Sequence, residues 1–153
     1  MGKGAVVKSE PCRRSVKAFG AVSLQTHPKF HYQLSERFNT ATFLKFIKRM
    51  VTFARGRKIF LILDNARYHH AKEVKAWVLE NADKIELCFL PPYSPNLNCQ
   101  EDVWRITKRT TTHNRHFPDY GVMEAKVQRR FNRYQGNPRS LRGAVQRYLP
   151  KAG

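Results

Sequence analysis

The chain has 153 residues, 41% of them apolar, which is enough for one domain with a buried core. It contains no apolar run of roughly 18 residues or more and no apolar signal-peptide segment, so neither a membrane span nor secretion is predicted. Three widely spaced cysteines give neither a disulfide framework nor a zinc-ligand pattern, and they fit a reducing cytoplasm.

The charge is strongly positive and unevenly distributed. There are 29 basic and 11 acidic residues, for a net charge of +18. Residues 1–64 and 105–153 each carry +10, whereas residues 65–104 carry −2. This pattern indicates a polyanionic partner, nucleic acid above all, with salt-dependent affinity. A merely solubilising surface is the alternative.

The first predicted elements are a hairpin and a helix. Residues 16–24 and 29–34 read as its two strands, with Gly20 marking a bulge or a close approach. Asn39 or Thr40 offers an N-cap for the helix that follows, and Gly56 is a natural stop after it. The apolar face of this helix comprises Phe43, Ile47, Met50 and Ala54.

A strand–helix–strand unit comes next. Residues 58–63 are almost continuously apolar, which predicts a strand buried on both faces. A helix and a strand over 85–90 complete a parallel unit. Pro91 and Pro92 end that strand, and a helix over about 98–110 follows. Two amphipathic helices are predicted last, with apolar faces formed by Met123, Val127, Phe131 and Tyr134 and by Leu141, Val145 and Tyr148. This order predicts an α/β or α+β layer fold with a mixed sheet.

Two acids occupy positions where chemistry is expected. Asp64 directly follows a strand, and Glu101 lies in the first turn of a helix. If that helix packs back over the sheet, the two carboxylates can converge to hold a divalent metal for phosphodiester chemistry. Structural alternatives remain open for both: an Asx-turn for Asp64, and a capping-box-like pairing with Asn98 for Glu101. For the neighbouring histidines 69 and 70, phosphate or solvent contact is favoured over metal binding.

The stretches LILDNARYHHAKEV and LPPYSPNLNCQEDVWRITK carry a family resemblance. Together they resemble the catalytic domain of DDE transposases, in the bacterial insertion-sequence branch of the Tc/mariner superfamily. Asp64 matches the second acid of the family's triad and Glu101 the third, and their separation of 37 residues is close to the family spacing. The segments GAVSL and ERFNTATFLKFI resemble the preceding hairpin and helix, so the resemblance covers roughly residues 16–112.

The resemblance implies an RNase H-like α/β fold and an Mg²⁺- or Mn²⁺-dependent DNA nuclease and strand-transferase. It implies that Asp64 and Glu101 are catalytic metal ligands, and that Asn65 and His69 position substrate. Tyr93, Asn98 and Trp104 would be structural supports. We expect four basic residues near these motifs to contact DNA: Arg67, Lys108, Arg109 and Arg115.

Two departures from the family pattern affect the site. Cys99-Gln100 replaces Pro-Ile before Glu101, and a proline there would preorganise the first helical turn. The family's first Asp and the strand that bears it have no counterpart, since only Glu10 precedes the hairpin. We therefore expect a truncated or frameshifted transposase: a polar segment (1–15), a partial catalytic core lacking its first strand (16–112) and a basic helical extension (113–153).

The predicted function is that of an insertion-element transposase that is inactive alone. Its partners would be DNA (element ends and target) and a second transposase polypeptide or another copy, in the bacterial cytoplasm near the nucleoid, without membrane. The alternative is a catalytically inert, DNA-binding remnant of such an element. An unrelated basic RNA-binding or structural protein would share the charge but would not account for the two motifs.

Overall fold

The computed structural model describes residues 14–25 and 27–150, with the side chain of residue 95 excepted. In this part of the chain four strands and five α-helices follow one another, with 3₁₀ turns at Arg67–His70, Pro95–Leu97 and Gln146–Tyr148. They are β1 (Ala18–Ser23), β2 (Lys29–Leu34), α1 (Thr40–Phe53), β3 (Ile59–Leu63), α2 (Lys72–Glu80), β4 (Ile85–Phe89), α3 (Cys99–Thr111), α4 (Tyr120–Gly136) and α5 (Pro138–Val145).

The predicted hairpin is confirmed. Strands β1 and β2 pair antiparallel in unbroken register from Ala18 opposite Leu34 to Ser23 opposite Lys29, so Gly20 is not at a bulge. It is instead a site of close approach: a Cβ there would lie 2.8 Å from the Trp104 ring of α3. The lack of a side chain therefore lets α3 lie directly on β1.

Helix α1 has the predicted boundaries for local reasons. Asn39 caps it, accepting a hydrogen bond from the Thr42 N–H at 2.9 Å, while the Thr42 hydroxyl accepts from the Asn39 N–H at 3.1 Å. Gly56, with φ +81°, lies just beyond the end of the helix. The apolar face is buried, and it meets residues of β1, β3, α2 and β4 in a first core. The buried residues of this first core are Phe19, Phe43, Phe46, Ile47, Met50, Leu63, Val74 and Ile85.

Strands β3 and β4 pair in parallel, as predicted, but the expected burial of both β3 faces is wrong. Ile59, Leu61 and Leu63 face the first core, whereas Phe60 and Ile62 are 63% and 54% exposed. A continuous apolar run predicts burial only if helices cover both faces. Within the described residues, helices cover only one.

The C-terminal helices form a second core with the hairpin. Its buried residues are Phe30, Val103, Val127, Phe131, Tyr134, Leu141, Ala144 and Val145. The predicted apolar face of α4 is confirmed by the burial of Met123, Val127, Phe131 and Tyr134. The hairpin thus lies between α1 on one face and α3, α4 and α5 on the other.

The α/β class is confirmed, but the expected single mixed sheet is wrong for residues 14–25 and 27–150. There the strands form two separate two-stranded sheets, one antiparallel and one parallel. Strands β1 and β3 each keep a free edge, and both contribute side chains to the first core. No helix in these residues is both long enough and apolar enough to span a lipid bilayer.

Candidate functional site

Asp64 follows the last residue of β3, and its side chain is 60% exposed. Its Oδ1 atom accepts a hydrogen bond from the Ala66 N–H at 3.1 Å, so the Asx-turn considered as an alternative is present. That turn uses one carboxylate oxygen. Within the described part of the chain no hydrogen bond or ion pair engages Oδ2, which leaves an exposed oxygen able to bind a cation.

The imidazole of His69 contacts the backbone of Asp64. The His69 side chain is buried, so the solvent contact considered for it is wrong, while a phosphate contact stays a prediction. The ring Nδ1 lies 2.9 Å from the Asp64 carbonyl oxygen and 3.2 Å from Asp64 Oδ1. Burial lowers the pKa of His69 and outweighs the hydrogen bond and negative charge of Asp64, which would raise it. A neutral imidazole can donate its Nδ1 proton to the carbonyl of residue 64. Burial and the charge of Asp64 also raise the pKa of the neighbouring Tyr68.

Asn65 joins the end of β3 to the start of the next motif. Its Nδ2 donates to the Leu90 carbonyl at 2.7 Å, and the Leu90 N–H donates to the Leu63 carbonyl at 2.9 Å. Its Oδ1 lies 3.3 Å from Nε2 of His70, whose ring stacks on Phe89 at 4.3 Å. The amide thus ties the β3 end to the proline-rich turn, residues 90–98. A role in positioning substrate stays a prediction for Asn65 and His69.

The proline-rich turn leads into α3 through a cap. Asn98 accepts a hydrogen bond from the Gln100 N–H at 3.1 Å, so its predicted supporting role is confirmed. Trp104 also supports the helix as predicted, since its ring packs on Gly20 and near Phe30 and Phe131 in the second core. Tyr93 does not: its side chain is fully exposed, on a backbone with φ +56°. The supporting role predicted for Tyr93 is therefore wrong, because its ring packs on nothing in the described residues.

Glu101 lies in the first turn of α3 and is exposed. No hydrogen bond joins its carboxylate to Asn98, or to another group, in the described residues. The capping-box alternative therefore has no contact in its favour. A carboxylate in the first helical turn gains from the helix dipole, and here its oxygens remain available to a ligand.

Asp102, the residue after Glu101, was not singled out from the sequence. Its side chain is only 10% exposed and makes ion pairs with Arg105 at 2.7 Å and Arg147 at 2.8 Å. Burial acts to raise the pKa of Asp102, but hydrogen bonds from Arg105 and Tyr148 and the nearby guanidinium charges hold it below the ordinary aspartate value. The sequence contains one signal of this burial. Asp102 lies four residues before the half-buried Ile106 and so shares with it the packed side of α3.

Gln100, which takes the place of the family's Ile, lies beside Gly20. Both polar atoms of its amide are buried without a hydrogen-bond partner in the described residues. Its Nε2 would lie 2.8 Å from a Cβ at Gly20. An unpaired buried amide is unfavourable, so we expect Gln100 to weaken the packing beneath the turn that carries Glu101.

The donor chemistry of Asp64 and Glu101 suits a hard divalent cation. Mg²⁺ prefers oxygen ligands and is commonly bound through one or two carboxylates, with water and substrate phosphate completing its shell. Across 14–25 and 27–150, no three His, Cys, Asp or Glu side chains are grouped to hold a metal. Glu10, the acid nearest the family's first position, lies outside the described residues.

The four predicted DNA contacts are all exposed. Arg67 lies in the 3₁₀ turn after Asp64, Lys108 and Arg109 in the last turn of α3, and Arg115 in the loop after it. Ion pairs engage only three lysine or arginine side chains in the described residues, none of them among these four. The basic charge is therefore largely free to meet a polyanion.

Comparison with known proteins identifies relatives. Residues 1–124 match the sequence model of a family described as DDE superfamily endonuclease. The "Insertion element IS630 uncharacterized 39 kDa protein" of Shigella sonnei is 35% identical over 77 residues, 50% of this chain and 22% of that protein. The "Uncharacterized protein y4pE/y4sA" of Sinorhizobium fredii is 42% identical over 65 residues, 42% of this chain and 44% of that protein. The matched part thus covers less than half the length of each relative.

Proposed function

We propose that this chain, which belongs to the DDE superfamily endonuclease family, is part of the catalytic domain of an insertion-element transposase with an RNase H-like fold. The similarity to a protein named for the insertion element IS630 supports the choice of an insertion element. The proposed reaction is metal-dependent cleavage of a DNA strand and its transfer to a target. The proposed site of action is DNA at the bacterial nucleoid.

One observation carries this proposal: two exposed carboxylates, each with an oxygen that no group in the described residues engages, lie just after β3 and at the start of α3, and both element ends are hydrogen-bonded to the proline-rich turn. Asp64 is tied through Asn65 to Leu90, where the proline-rich turn begins, and Glu101 is one helical turn beyond the cap at Asn98. We propose that both bind Mg²⁺ or Mn²⁺. When bound, such an ion stabilises negative charge on the phosphate oxygens. The Asn65 bond and the His69 ring orient the Asp64 end, and Trp104 fixes α3.

The third acid of the proposed site is expected outside the described residues. The two-sheet arrangement supports this view, because β1 and β3 each pair with only one strand in the described residues and both contribute side chains to the first core. A further strand between them would join the sheets into one mixed sheet and could carry the acid. We propose that this strand is not among the 153 residues and is supplied by a further segment or by a second transposase chain, so that these 153 residues alone do not cleave DNA.

The test of the catalytic proposal is a nicking assay on DNA carrying the element's ends, with Mg²⁺ or Mn²⁺. We expect no cleavage from this chain alone, and cleavage when a polypeptide carrying the family's first-Asp strand is added. Asp64→Asn and Glu101→Gln should each abolish the restored activity, whereas the exposed α2 change Glu80→Gln should not. Cleavage by the chain alone that Asp64→Asn abolishes would refute the missing-acid argument.

The same chain is proposed to bind DNA through its basic side chains. The uneven net charge and the exposure of Arg67, Lys108, Arg109 and Arg115 support this. Binding should weaken steeply from about 50 to 200 mM salt, and Lys108→Gln should reduce the salt slope by about one. Salt-independent binding would rule out the electrostatic interpretation. DNA binding without restored cleavage would favour the alternative, a catalytically inert remnant of a transposase. The net charge of +18 is enough to explain DNA binding by such a remnant.

A further inference from the structure

We infer that Arg147 and Tyr148 are positioning residues, which hold the first turn of α3 and thereby set the direction of Glu101. The inference rests on the proposed role of Glu101 in the site. Both residues lie in the 3₁₀ turn Gln146–Tyr148, more than 40 positions along the chain from Glu101. We call these two residues, with Asp102 and Asn96, the C-terminal clamp.

The contacts of the clamp engage α3 and the turn before it. Arg147 Nη2 lies 2.8 Å from Asp102 Oδ2 and 3.4 Å from the Asn96 carbonyl oxygen. The Tyr148 hydroxyl lies 3.1 Å from Asp102 Oδ2 and 3.0 Å from the same Asn96 oxygen, so its single proton can be donated to either. Arg147 also donates to the Tyr148 hydroxyl and lies over its ring. One pair of side chains therefore joins the proline-rich turn to the helix start.

The clamp acts where a small rotation of α3 would matter. Successive residues of an α-helix point about 100° apart, so Asp102 can face inward while Glu101 faces outward. Arg105 belongs to α3 itself, so it is the contacts of Asp102 with Arg147 and Tyr148 that join the helix start to another element and oppose rotation of α3 about its axis. Metal and catalytic ligands must be held to within roughly half an ångström. The clamp is thus placed to set the direction of Glu101 without contacting it.

The first turn of α3 has few stabilising contacts from its own residues, which leaves a role for the clamp. The helix begins with Cys99 and not a proline, and the Gln100 amide is buried without a partner in the described residues. The clamp itself is well anchored, because the 3₁₀ turn directly follows α5, whose Leu141 and Val145 are fully buried in the second core. The clamp therefore connects the turn that carries Glu101 to the packed second core.

The test compares the double variant Arg147→Gln/Tyr148→Phe with wild type and with the control Arg142→Gln, which removes an exposed arginine of α5. The single changes Arg147→Gln and Tyr148→Phe are made as well, the second of which keeps the ring, and Arg147→Lys is added because it keeps the charge. Amide hydrogen exchange is followed by mass spectrometry. We expect exchange in residues 94–104 to become about 10-fold faster in the double variant, with the hairpin and α1 unchanged. The control should match wild type, and Arg147→Lys should restore part of the protection.

A second readout follows Glu101 itself. Mn²⁺ alone is added and its broadening of backbone NMR signals is compared at residues 64 and 101. The double variant should bind Mn²⁺ more weakly, so that broadening at residues 64 and 101 needs a higher Mn²⁺ concentration while exchange in the hairpin and α1 stays as in wild type, a combination that a general loss of stability would not give. Unchanged exchange in 94–104, or faster exchange throughout the chain, would overturn the inference. If Mn²⁺ broadens neither residue in wild type, the proposed metal site fails, and the exchange data still decide the clamp.

Discussion

The antiparallel hairpin and the parallel pair of strands are supported in different ways. The hairpin is packed between α1 and the helices α3, α4 and α5, whereas β3 and β4 are covered on one face and leave Phe60 and Ile62 exposed on the other. Asp64 directly follows a strand of the half-covered pair, and Glu101 lies in the first turn of a helix that packs on the fully covered hairpin. The two proposed ligands thus belong to regions of unequal support, joined by the proline-rich turn.

This difference indicates how each of the two proposed ligands is held in position. The hairpin region supplies a rigid frame through two cores, and α3 takes its place from Trp104 and Gly20. The half-covered region relies on polar bonds: the Asx-turn of Asp64, the His69 ring and the Asn65 amide. We expect core substitutions in the hairpin to lower the free energy of unfolding most, and substitutions on the exposed face of β3 to lower it little.

The largest expected effect is from Phe30→Ala in the hairpin. Phe30 is 2% exposed and contacts Trp104, Phe131 and Tyr134, so its loss leaves a cavity in the second core. We expect the free energy of unfolding to fall by about 3–5 kcal/mol, measured by urea denaturation. The matched change Phe60→Ala should cost less than about 1 kcal/mol, because that ring is mostly in solvent. Equal losses would show that the two regions are not supported unequally.

Gly20→Ala tests the contact between the hairpin and α3. The added Cβ would lie 2.8 Å from both the Trp104 ring and Gln100 Nε2, so the helix must shift. We expect a loss of about 1–3 kcal/mol in unfolding free energy, with altered amide NMR shifts along residues 99–104. Gly143→Ala, on α5 where a Cβ meets nothing within 4 Å, is the control. Wild-type stability in Gly20→Ala would mean that α3 does not lie closely on β1.

A gain in stability is expected from Gln100→Met. Methionine has a similar length and removes both buried, unpaired amide atoms. Leaving such groups unpaired is unfavourable by about 1–3 kcal/mol, so a gain of about 1 kcal/mol in the free energy of unfolding is expected. The same change at the exposed Gln128 of α4 should be nearly neutral. A destabilised Gln100→Met protein would show that the amide has a partner in solution.

The smallest expected effect concerns pH. Burial lowers the pKa of His31, and the charges of Lys29 and Arg49 lower it further. Because the unfolded chain then binds this proton more readily, the contribution to stability is complete above about pH 6.5 and is lost as the pH falls below that value. His31→Gln should flatten the fall in unfolding free energy between about pH 7.5 and 5.5, whereas the exposed His116→Gln should leave its slope unchanged. An unchanged slope in His31→Gln would contradict the assignment.

Much of the local structure could be predicted because it depends on nearby residues. The period of Phe43, Ile47 and Met50 predicts α1, and the bounds of β2 were predicted to the residue. The prolines after β4 and the cap at Asn98 likewise predict where a strand ends and a helix begins, which places Asp64 and Glu101 correctly on their elements.

What could not be predicted depends on contacts distant in the sequence. Whether Phe60 is buried is decided by which helix covers its face, and nothing in the run KIFLIL specifies that. Asp102 resembles an ordinary acid of a first helical turn, and its partners Arg147 and Tyr148 lie about 45 residues away. The division of the strands into two sheets is likewise a property of pairing between distant segments.

The central claim is that Asp64 and Glu101 together bind one divalent cation. Mn²⁺ titration of the full chain tests this claim most directly. Binding is followed by paramagnetic broadening in wild type, Asp64→Asn, Glu101→Gln and the control Glu80→Gln, with unfolding midpoints measured alongside. The account predicts that each of the first two changes weakens binding at both positions while the control binds as wild type. Unchanged Mn²⁺ binding by Glu101→Gln, together with a lowered unfolding midpoint, would contradict it and assign Glu101 a structural role.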